Sequence, residues 1–397
     1  MKKRTVVLAY SGGLDTSVAI RWLADRGWDV AALLVDVGQG ADAKSAAARA
    51  RRIGASRIIV KDLRKIFVQE FILPALQAHA VYEGRYYLAT ALSRPLIARA
   101  LVEAAHQVKA TAVAHGCTGK GNDQVRFEVG VRALDSSLEI VAPVREWEFK
   151  SREDELAYAR RQRLPLETSA GKLYSIDRNL WGVSIEGGDL EDPWSAPMES
   201  AFLMTRAPKR QGSETIRVQF ARGVPVAING QRQELMALIE RLSRLGGSWG
   251  IGRSDLVENR LVGIKSREVY EAPAAVILHA AHRDLESLVL DRALWHYKEG
   301  LAHDYARLVY DGLWFTPLKA ALDAFIRETQ QVVTGEVRVE LRPGQAVCVG
   351  RKSPHSLYRH ELATYSHGDR YDQSLAKGFI TIWGMPYVGR GVKSAKR

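Results

Sequence analysis

The stretch Ala9-Tyr10-Ser11-Gly12-Gly13-Leu14-Asp15-Thr16-Ser17 decides the fold of the first half of this chain. Before it, the apolar, β-branched run from Thr5 to Tyr10 has the pattern of a buried strand. After it, apolar residues recur at mostly helical spacing until Gly27, a residue type that commonly follows the end of a helix. The sequence therefore predicts a strand, a glycine turn and a helix in succession.

This turn has the properties of a phosphate-binding loop. Paired glycines let backbone N–H groups approach a ligand closely, and the following helix start adds unpaired amides and a positive dipole end. Ser11, Thr16 and Ser17 add hydroxyl donors, and Asp15 can hold a metal ion or stabilise the loop. The alternative is an ordinary β-to-α turn capped by Asp15 or Thr16. Six specified positions within seven residues, between a strand and a helix, favour the phosphate interpretation.

The spacing excludes the two commonest phosphate loops. A Walker A loop needs a lysine after its second glycine, and a dinucleotide fingerprint needs G-x-G-x-x-G; neither is present at this position. The pattern S-G-G-x-D-[ST]-S resembles the pyrophosphate loop of the ATP pyrophosphatase (PP-loop) superfamily. That resemblance implies an enzyme that holds the β- and γ-phosphates of ATP as a leaving group while a nucleophile attacks the α-phosphorus.

Composition indicates a soluble, cytoplasmic protein of two domains. The chain has 397 residues and is 46% hydrophobic, which suffices for real cores. No apolar run approaches the roughly 20 residues of a membrane span, so we expect no membrane contact. Only Cys117 and Cys348 occur, without a C-x-x-C pair, which argues against a disulfide framework.

The net charge of +12 raises the question of a nucleic-acid partner. Much of the excess lies at the two ends of the chain, as in many solvated termini, and anionic small substrates also favour positive clefts. We therefore expect no nucleic-acid partner. The terminal basic residues are Lys2, Lys3, Arg4, Arg390, Lys393, Lys396 and Arg397.

The first half of the chain alternates predicted strands and helices. This alternation predicts an α/β domain with a doubly wound parallel sheet, whose ligands gather beyond the carboxyl ends of the strands. The segments after Tyr10, Val35 and Ala114 should therefore converge on one crevice. Strands are expected at 5–10, 30–35, 56–60, 110–114 and 138–141, and helices at 43–53, 67–76 and 92–108, with Pro95 in the first turn of the last.

The second half loses this alternation and is predicted to be an α+β domain. A capping-box helix begins at Ser151, and we place the domain boundary soon after Pro165. The predicted domains are an ATP-binding domain at 1–166, a synthetase and oligomerisation domain at 167–386 and a basic tail at 387–397. Expected elements are a hairpin at 216–228 across Arg222-Gly223, helices at 235–242, 273–294 and 318–332, and strands at 337–341 and 346–349.

A second polar stretch, His115 to Glu128, directly follows the predicted fourth strand. Its glycines allow close backbone approach, and Asn122, Asp123 and Arg126 offer several donors and acceptors at a strand terminus. A mobile surface loop is the alternative, but it would not need this concentration of polar groups. Cys117 has no identifiable base or second cysteine beside it, so we interpret it as a small filler of the loop.

These segments together resemble the argininosuccinate synthase family. The resemblance covers residues 5–386 and is highly specific. The matching segments are 11–17, 36–39 (Asp-Val-Gly-Gln), 115–128, 174–181, 186–194, 257–260 (Val-Glu-Asn-Arg), 263–271 and 350–353. Members of that family join citrulline and aspartate with Mg-ATP and release AMP and pyrophosphate. They are similar to one another in forming homotetramers, often through C-terminal arms, whereas the arm here is short and basic.

The resemblance also implies roles for individual residues. ATP would contact the loop 9–17, together with the backbone near Val35 and Gly116. Citrulline would contact Tyr86, Asn122, Arg126, Ser175, Ser184, Glu258 and Tyr270. Aspartate would contact Thr118, Asn122 and Asp123. The residues expected to act in catalysis are Asp15, Asp123 and Arg126, and Asp123 would either orient the aspartate amine or help to deprotonate it. Substrate carboxylates suit Arg126 and Asn122, and the ammonium of citrulline suits Glu258.

Some features depart from the family or leave other interpretations open. Tyr87 follows Tyr86, and Ala91 stands where some relatives carry a serine near citrulline, so one hydroxyl contact is missing.

His279 and His282 have a spacing that metals use, but without a third ligand we interpret them as packing residues. The rival functions are a PP-loop tRNA-thiolating enzyme, suggested by the basic charge and Cys117, and a non-catalytic ATP-binding sensor.

Overall fold

The structure is a computed structural model that describes residues 4–40, 42–165, 173–208 and 211–389. The chain divides into two compact units, a main unit of residues 1–355 and a C-terminal unit of residues 356–397. The predicted boundary at 166/167 and most of the predicted basic tail lie outside the described residues.

A parallel sheet forms the first part of the main unit. Its spatial order is β3-β2-β1-β4-β5, and every neighbouring pair is parallel. Because the order reverses beside β1, the segments that follow β1 and β4 emerge next to each other at the carboxyl edge. The strands are β1 (Thr5–Ala9), β2 (Asp29–Asp36), β3 (Arg57–Asp62), β4 (Ala112–Ala114) and β5 (Glu139–Val141).

Helices cover both faces of this sheet. In β1, Val6 and Leu8 pack into one apolar cluster with Val18, while Val7 packs into another with Leu101. Alternate residues of one strand point to opposite faces, so both faces are buried, and the predicted doubly wound α/β fold is confirmed. The helices are α1 (Leu14–Asp25), α2 (Ala43–Ile53), α3 (Arg64–Ile66), α4 (Leu73–Gln77), α5 (Ala89–Val108), α6 (Asp123–Leu134), α7 (Pro143–Glu146) and α8 (Arg152–Arg161).

Two antiparallel sheets form the rest of the main unit, which confirms the predicted α+β part. One has the order β11-β12-β7-β6 and the other β10-β9-β8-β13-β14. The predicted hairpin turns at Arg222 and Gly223, which both have positive φ as its tight turn requires. The strands are β6 (Ser175–Arg178), β7 (Val183–Glu186), β8 (Glu214–Ala221), β9 (Val224–Ile228), β10 (Gln231–Arg232), β11 (Arg253–Asn259), β12 (Lys265–Glu271), β13 (Gly335–Arg342) and β14 (Gln345–Lys352).

The helices of this part are α9 (Leu235–Ser248), α10 (Pro273–Val289), α11 (Arg292–Tyr310) and α12 (Pro317–Thr329). The prediction of one helix over 273–294 is wrong. Leu290 is extended, and the carboxylate of Asp291 accepts hydrogen bonds from the amides of Ala293 and Leu294, so a new helix starts there. The apolar periodicity continues across this break and hides it.

Two further boundaries differ from the predictions. Helix α5 begins at Ala89 rather than residue 92, because Leu88 in a left-handed conformation starts it, so Pro95 lies in the second turn. The predicted helix at 67–76 contains a π segment, Phe67–Ile72. That segment precedes Pro74, whose missing N–H removes one regular α-helical bond.

The C-terminal unit contains α13 (His360–Ala363) and α14 (Leu375–Gly384). Helix α14 exposes large apolar side chains, of which Phe379 and Trp383 are 64% and 69% exposed. Among the described residues, no helix has both the length and the apolar character needed to cross a membrane.

Candidate active site

The loop between β1 and α1 presents backbone amides at a helix start. Gly12 turns the chain with a φ of +83°, and Gly13 caps α1 without any side-chain bond, which leaves the first amides of α1 available to a ligand. The hydroxyl of Ser11 accepts from the amide of Gly13 at 3.3 Å and lies 3.1 Å from the hydroxyl of Thr16. Local bonds thus hold the hydroxyls beside the amides, as phosphate binding requires.

The neighbouring strand ends lie beside this loop. Tyr10 is buried, and its hydroxyl lies 3.2 Å from that of Ser17. Ala9 pairs with Leu33 on β2, and further along β2 the carbonyl of Val35 accepts from the side-chain Nε2 of Gln39 at 2.7 Å. The predicted nucleotide residues of β1, α1 and β2 therefore share one edge of the sheet.

Gly116 joins the nucleotide loop to the second polar stretch. A Cβ on Gly116 would lie 2.8 Å from Cγ2 of Thr16, so only glycine lets the segment after β4 approach so closely. The segments after β1 and β4 therefore meet, as their place beside the reversal in strand order predicts.

Asp15 faces a second carboxyl group, Glu155 on α8. Burial and the charge of Asp15 raise the pKa of Glu155 to about 8. The Oε2 atom of Glu155 is buried without a hydrogen-bond partner among the described residues. Two oxygen-donor carboxyls with one unsatisfied oxygen fit a hard cation such as Mg²⁺.

The second polar stretch is a loop at 115–122 followed by α6, whose start at Asp123 the sequence interpretation missed. The side-chain amide of Gln124 donates to the carbonyl of Gly119 at 2.6 Å and orders the loop. Burial raises the pKa of the Cys117 thiol, which keeps it protonated and unreactive. Thr118 lies exposed on this loop.

The four-stranded sheet presents a row of polar side chains on one face. Ser184 on β7 lies opposite Asp177 on β6 and opposite Tyr270 on β12. Glu258 and Ser175 lie on the same face by the two-residue period of their strands, Ser175 at its exposed edge. Of these strands, β7 alternates apolar and polar residues clearly, whereas β11 and β12 do not, and the sequence interpretation assigned none of the four strands.

Tyr310, at the end of α11, joins this face to the loop. Its hydroxyl accepts from Nδ2 of Asn122 at 2.7 Å and donates to Oε1 of Glu258 at 2.8 Å. The hydroxyl of Tyr270 lies 2.7 Å from the other oxygen of Glu258, and the Tyr86 ring stacks on Tyr270 at 4.1 Å. Four predicted amino-acid residues thus form one connected group around a tyrosine that was not predicted.

Two arginines donate hydrogen bonds to the carboxylate of Asp123. Nε of Arg94 donates to its Oδ2 and Nη1 of Arg126 to its Oδ1, each at 2.9 Å. Burial alone would raise the pKa of Asp123, but the charges and hydrogen bonds of these arginines outweigh it and lower the pKa. Arg126 is itself 5% exposed and donates from Nε to the carbonyl of Tyr310. Arg94, which also pairs with Asp177, was not predicted.

Of the histidines considered for metal binding, His282 lies in a separate buried cluster with His79 and Glu286, and the ring of His279 packs edge-on against His79. Nε2 of His79 lies 2.8 Å from Oε2 of Glu286 and 3.3 Å from Nδ1 of His282. The ammonium of Lys298 donates to the same Glu286 oxygen at 2.9 Å. Because Lys298 already supplies a cation to Glu286, this arrangement supports the packing interpretation.

An uncapped helix start after a glycine turn at the switch point of a parallel sheet, together with a second sheet that presents polar side chains, is typical of ATP-dependent synthetases with a PP-loop nucleotide-binding domain. The family model described as the arginosuccinate synthase N-terminal HUP domain matches residues 5–165, and that of the arginosuccinate synthase C-terminal domain matches residues 174–388. The chain belongs to the argininosuccinate synthase family.

Relatives agree over nearly the whole chain. An argininosuccinate synthase of Aquifex aeolicus is 54% identical over 390 residues, 97% of each chain. That of Symbiobacterium thermophilum is 55% identical over 390 residues with the same coverage. That of Halalkalibacterium halodurans is 52% identical over 388 residues, 97% of this chain and 95% of its own. The chain is therefore an enzyme that uses ATP to ligate citrulline and aspartate in arginine biosynthesis.

Proposed function

We propose that the loop 9–17, with the backbone of Val35 and Gly116, holds the triphosphate of ATP during this ligation. The close approach of Gly116 to Thr16 carries the proposal, because it brings the nucleotide loop (residues 9–17) and the second polar loop (residues 115–122, called the amino-acid loop below) to the same crevice. The uncapped amides of α1 suit the phosphates.

The group around Tyr310 is the proposed amino-acid site. Citrulline is assigned to Tyr86, Asn122, Arg126, Ser175, Ser184, Glu258 and Tyr270, and aspartate to Thr118, Asn122 and Asp123. Asn122 and Glu258 both bond the hydroxyl of Tyr310, so the two residues lie close together. This supports the assignment of Asn122 to both amino acids, because a residue that contacts both must lie beside the citrulline site. Glu258 is 2% exposed, so its carboxylate is a strong partner for the citrulline ammonium.

The proposed reaction has two steps. The ureido oxygen of citrulline attacks the α-phosphorus of ATP, and the O–P bond to the leaving pyrophosphate breaks, giving citrullyl-AMP. The aspartate amine then attacks the activated ureido carbon, loses a proton and expels AMP. No protein nucleophile is needed, so the chain contributes alignment and charge stabilisation.

Asp15 and Glu155 are the residues that would hold Mg²⁺. The ion would supply positive charge near the phosphates, and the unsatisfied Glu155 oxygen supports this assignment. Asp123 orients the aspartate amine rather than acting as a base, because its paired, low-pKa carboxylate is a weak proton acceptor.

One assay tests the proposed reaction: the protein is incubated with Mg-ATP, and pyrophosphate and AMP are followed with citrulline, aspartate, both or neither. We expect exchange of pyrophosphate into ATP with citrulline alone and sustained AMP formation only with both amino acids. Formation of ADP and orthophosphate would exclude the mechanism, and absence of turnover would favour the sensor. Citrulline-dependent pyrophosphate release that is unchanged in Cys117→Ser excludes a thiolase.

The proposal extends to organisation and location. We place an ATP-binding domain at 1–166 and a synthetase and oligomerisation domain at 167–386, a boundary that the gap between the two family models supports. A homotetramer is supported by the exposed apolar residues of α14. A cytoplasmic location is supported by the free state of Cys117 and Cys348.

A further inference from the structure

The turn between β11 and β12, residues 260–264, touches the amino-acid loop directly. The turn is closed by hydrogen bonds from the amide of Arg260 to the carbonyl of Ile264 and from the amide of Gly263 to the carbonyl of Arg260. From this turn the amide of Leu261 donates to Oδ1 of Asn122 at 2.9 Å. The Asn122 side chain is therefore held from both sides, by this turn and by Tyr310.

The side chain of Arg260 makes the second connection. Its Nη1 donates to the carbonyl of Lys120 at 3.2 Å, two residues before Asn122. Its Nη2 donates to Glu186 at 2.6 Å and to Glu268 at 2.8 Å, and its Nε donates to the hydroxyl of Ser266. One guanidinium thus joins the loop to two strands of the sheet.

This placement has an electrostatic basis. Glu268 lies beside Glu258 through the hydroxyl of Tyr270, which is 2.9 Å from Glu268 and 2.7 Å from Glu258. The side chain of Arg260 is 12% exposed, so its bonds to the carboxyl groups of Glu186 and Glu268 are little screened by water. Oxygens of these two carboxyl groups accept hydrogen bonds from the guanidinium, which also donates to the loop at the Lys120 carbonyl.

We infer that Arg260 is a positioning residue that holds the loop 118–123 against the citrulline-binding face, so that the aspartate amine meets the activated ureido carbon. The inference rests on the proposed assignment of aspartate to Thr118, Asn122 and Asp123. The residues that the Arg260 side chain contacts are not among those assigned to either substrate, so Arg260 acts through Lys120 and Asn122.

The fork of the guanidinium explains why lysine does not replace it. Lysine keeps the positive charge beside Glu186 and Glu268. Its single ammonium nitrogen, however, cannot bond these carboxyl groups and the Lys120 carbonyl at the same time, as the planar, forked guanidinium does. Arg260→Lys therefore separates charge balance from loop positioning, and Arg260→Gln removes both.

Steady-state kinetics and citrulline-dependent ATP–pyrophosphate exchange test the inference. For Arg260→Lys we expect the KM for aspartate to rise about tenfold, the effect of losing one hydrogen bond to a charged group. The KM for citrulline should rise less, because Asn122 is only one of its seven assigned contacts, and the exchange rate and the melting temperature stay close to those of the parent. The control is Arg267→Gln on the same hairpin, because the Arg267 guanidinium donates to Asp255 and to the carbonyl of Asp192 on the opposite face. It should leave both KM values unchanged.

The Asn122→Ala variant distinguishes this inference from the proposed site. If Asn122→Ala raises the KM for aspartate while Arg260→Lys and Arg260→Gln do not, the positioning role of Arg260 is wrong, whereas the proposed aspartate site is supported. If Asn122→Ala leaves the KM for aspartate unchanged, the site assignment fails, and the inference fails with it. Equal rises in both KM values for Arg260→Lys would reduce Arg260 to a general structural role and also overturn the inference.

Discussion

At the scale of single residues, the proposed active site depends on close contacts and on paired charges. An added methyl group would disturb the contacts, and the loss of one charge would leave its partner unpaired. Gly116 contacts Thr16 where the nucleotide loop meets the amino-acid loop. Asp123 is bonded at both oxygens by arginines from two helices. Each residue connects two parts of the site, so each gives a prediction that separates binding from chemistry.

Gly116→Ala should raise the KM for ATP about tenfold or more, because a displacement near 1 Å at a reacting centre has effects of this size. The added Cβ at 2.8 Å must displace the Thr16 side chain and with it the Ser11 hydroxyl. Gly119→Ala in the same loop is the control, since its Cβ would have its nearest neighbour, Arg145, at 3.9 Å. An unchanged KM for ATP in Gly116→Ala would contradict the proposed nucleotide site.

Asp123→Asn should retain citrulline-dependent ATP–pyrophosphate exchange and lose product formation by roughly 100-fold. The amide keeps the shape but not the charge that Arg94 and Arg126 require, whereas Arg126 is still held by the Tyr310 carbonyl. Product is measured by chromatography. Asp135→Asn, at the far end of α6, should behave as the parent. Full ligation activity in Asp123→Asn rules out a role for this carboxylate.

At the scale of elements, the four-stranded sheet face and the α10–α11 pair carry buried charge, each in a different way. On the sheet face Arg260 pairs with Glu186 and Glu268, and the hydroxyl of Tyr270 bonds both Glu268 and Glu258. The helix pair buries Glu286 against Lys298 inside the apolar core. Both arrangements affect stability as well as the site, and both have a measurable signature.

Because of Glu268 on the sheet face, the free energy of unfolding of the protein should decrease as the pH rises. Burial, then the charges of Glu258 and Glu186, raise the pKa of Glu268 to about 8 from 4.5. Between these values the folded state binds a proton that the unfolded state has lost, so the free energy of unfolding decreases with pH. We expect Glu268→Gln to lose less stability than the parent between pH 5 and 8, by on the order of 1–3 kcal/mol.

Urea unfolding at several pH values measures this difference. Glu155, whose pKa is also raised to about 8, contributes the same trend in both proteins and cancels in the comparison. Parallel curves for parent and variant would show that Glu268 is ionised throughout.

Lys298→Met should lower the free energy of unfolding by about 3–5 kcal/mol, because it leaves the Glu286 carboxylate buried without its cation. Burial opposes ionisation of Glu286, but His282, His79 and Lys298 together lower its pKa, so it stays charged. The shift of the urea midpoint by circular dichroism gives the measurement. Arg283→Met is the control: its pair with Glu299 is exposed and should contribute about 1 kcal/mol or less. Similar midpoints for the two variants would contradict the expectation.

At the scale of the whole molecule, the C-terminal unit is the part whose surface is least suited to water. Helix α14 exposes Phe379, Ile380, Ile382 and Trp383, each at least 64% exposed. Contiguous apolar surface of this kind marks protein contacts. The main unit carries the site residues within its own compact structure.

Light scattering after size exclusion should give the mass of four chains for the parent protein. The double variant Phe379→Asp/Trp383→Asp should give a smaller particle, because buried unpaired carboxylates oppose association. Lys377→Asp, on the opposite side of α14 by helical spacing, is the control and should leave the mass unchanged. A single-chain mass for the parent would remove the tetramer from the proposal.

The sequence by itself determined what depends on neighbours along the chain. Gly12 and Gly13 between an apolar strand and a helix predicted the phosphate loop, and the alternating pattern predicted the doubly wound sheet. The break at Leu290 and Asp291 was also a local signal, but continuous apolar periodicity concealed it. The family was evident from motifs spread over the chain.

Tertiary structure alone decided which residues share a contact. Tyr310 meets Asn122 across 188 positions, Arg94 meets Asp177 across 83 and Arg260 meets Lys120 across 140. Tyr310 and Arg94 are ordinary polar residues in their own helices, and the motif that contains Arg260 does not reveal its contacts, so no local pattern predicts these partners. Hydrogen bonds and ion pairs depend on distance in space, and folding sets those distances through packing of the whole core. The sequence therefore specifies the loop, whereas the packed chain specifies the partners that hold it.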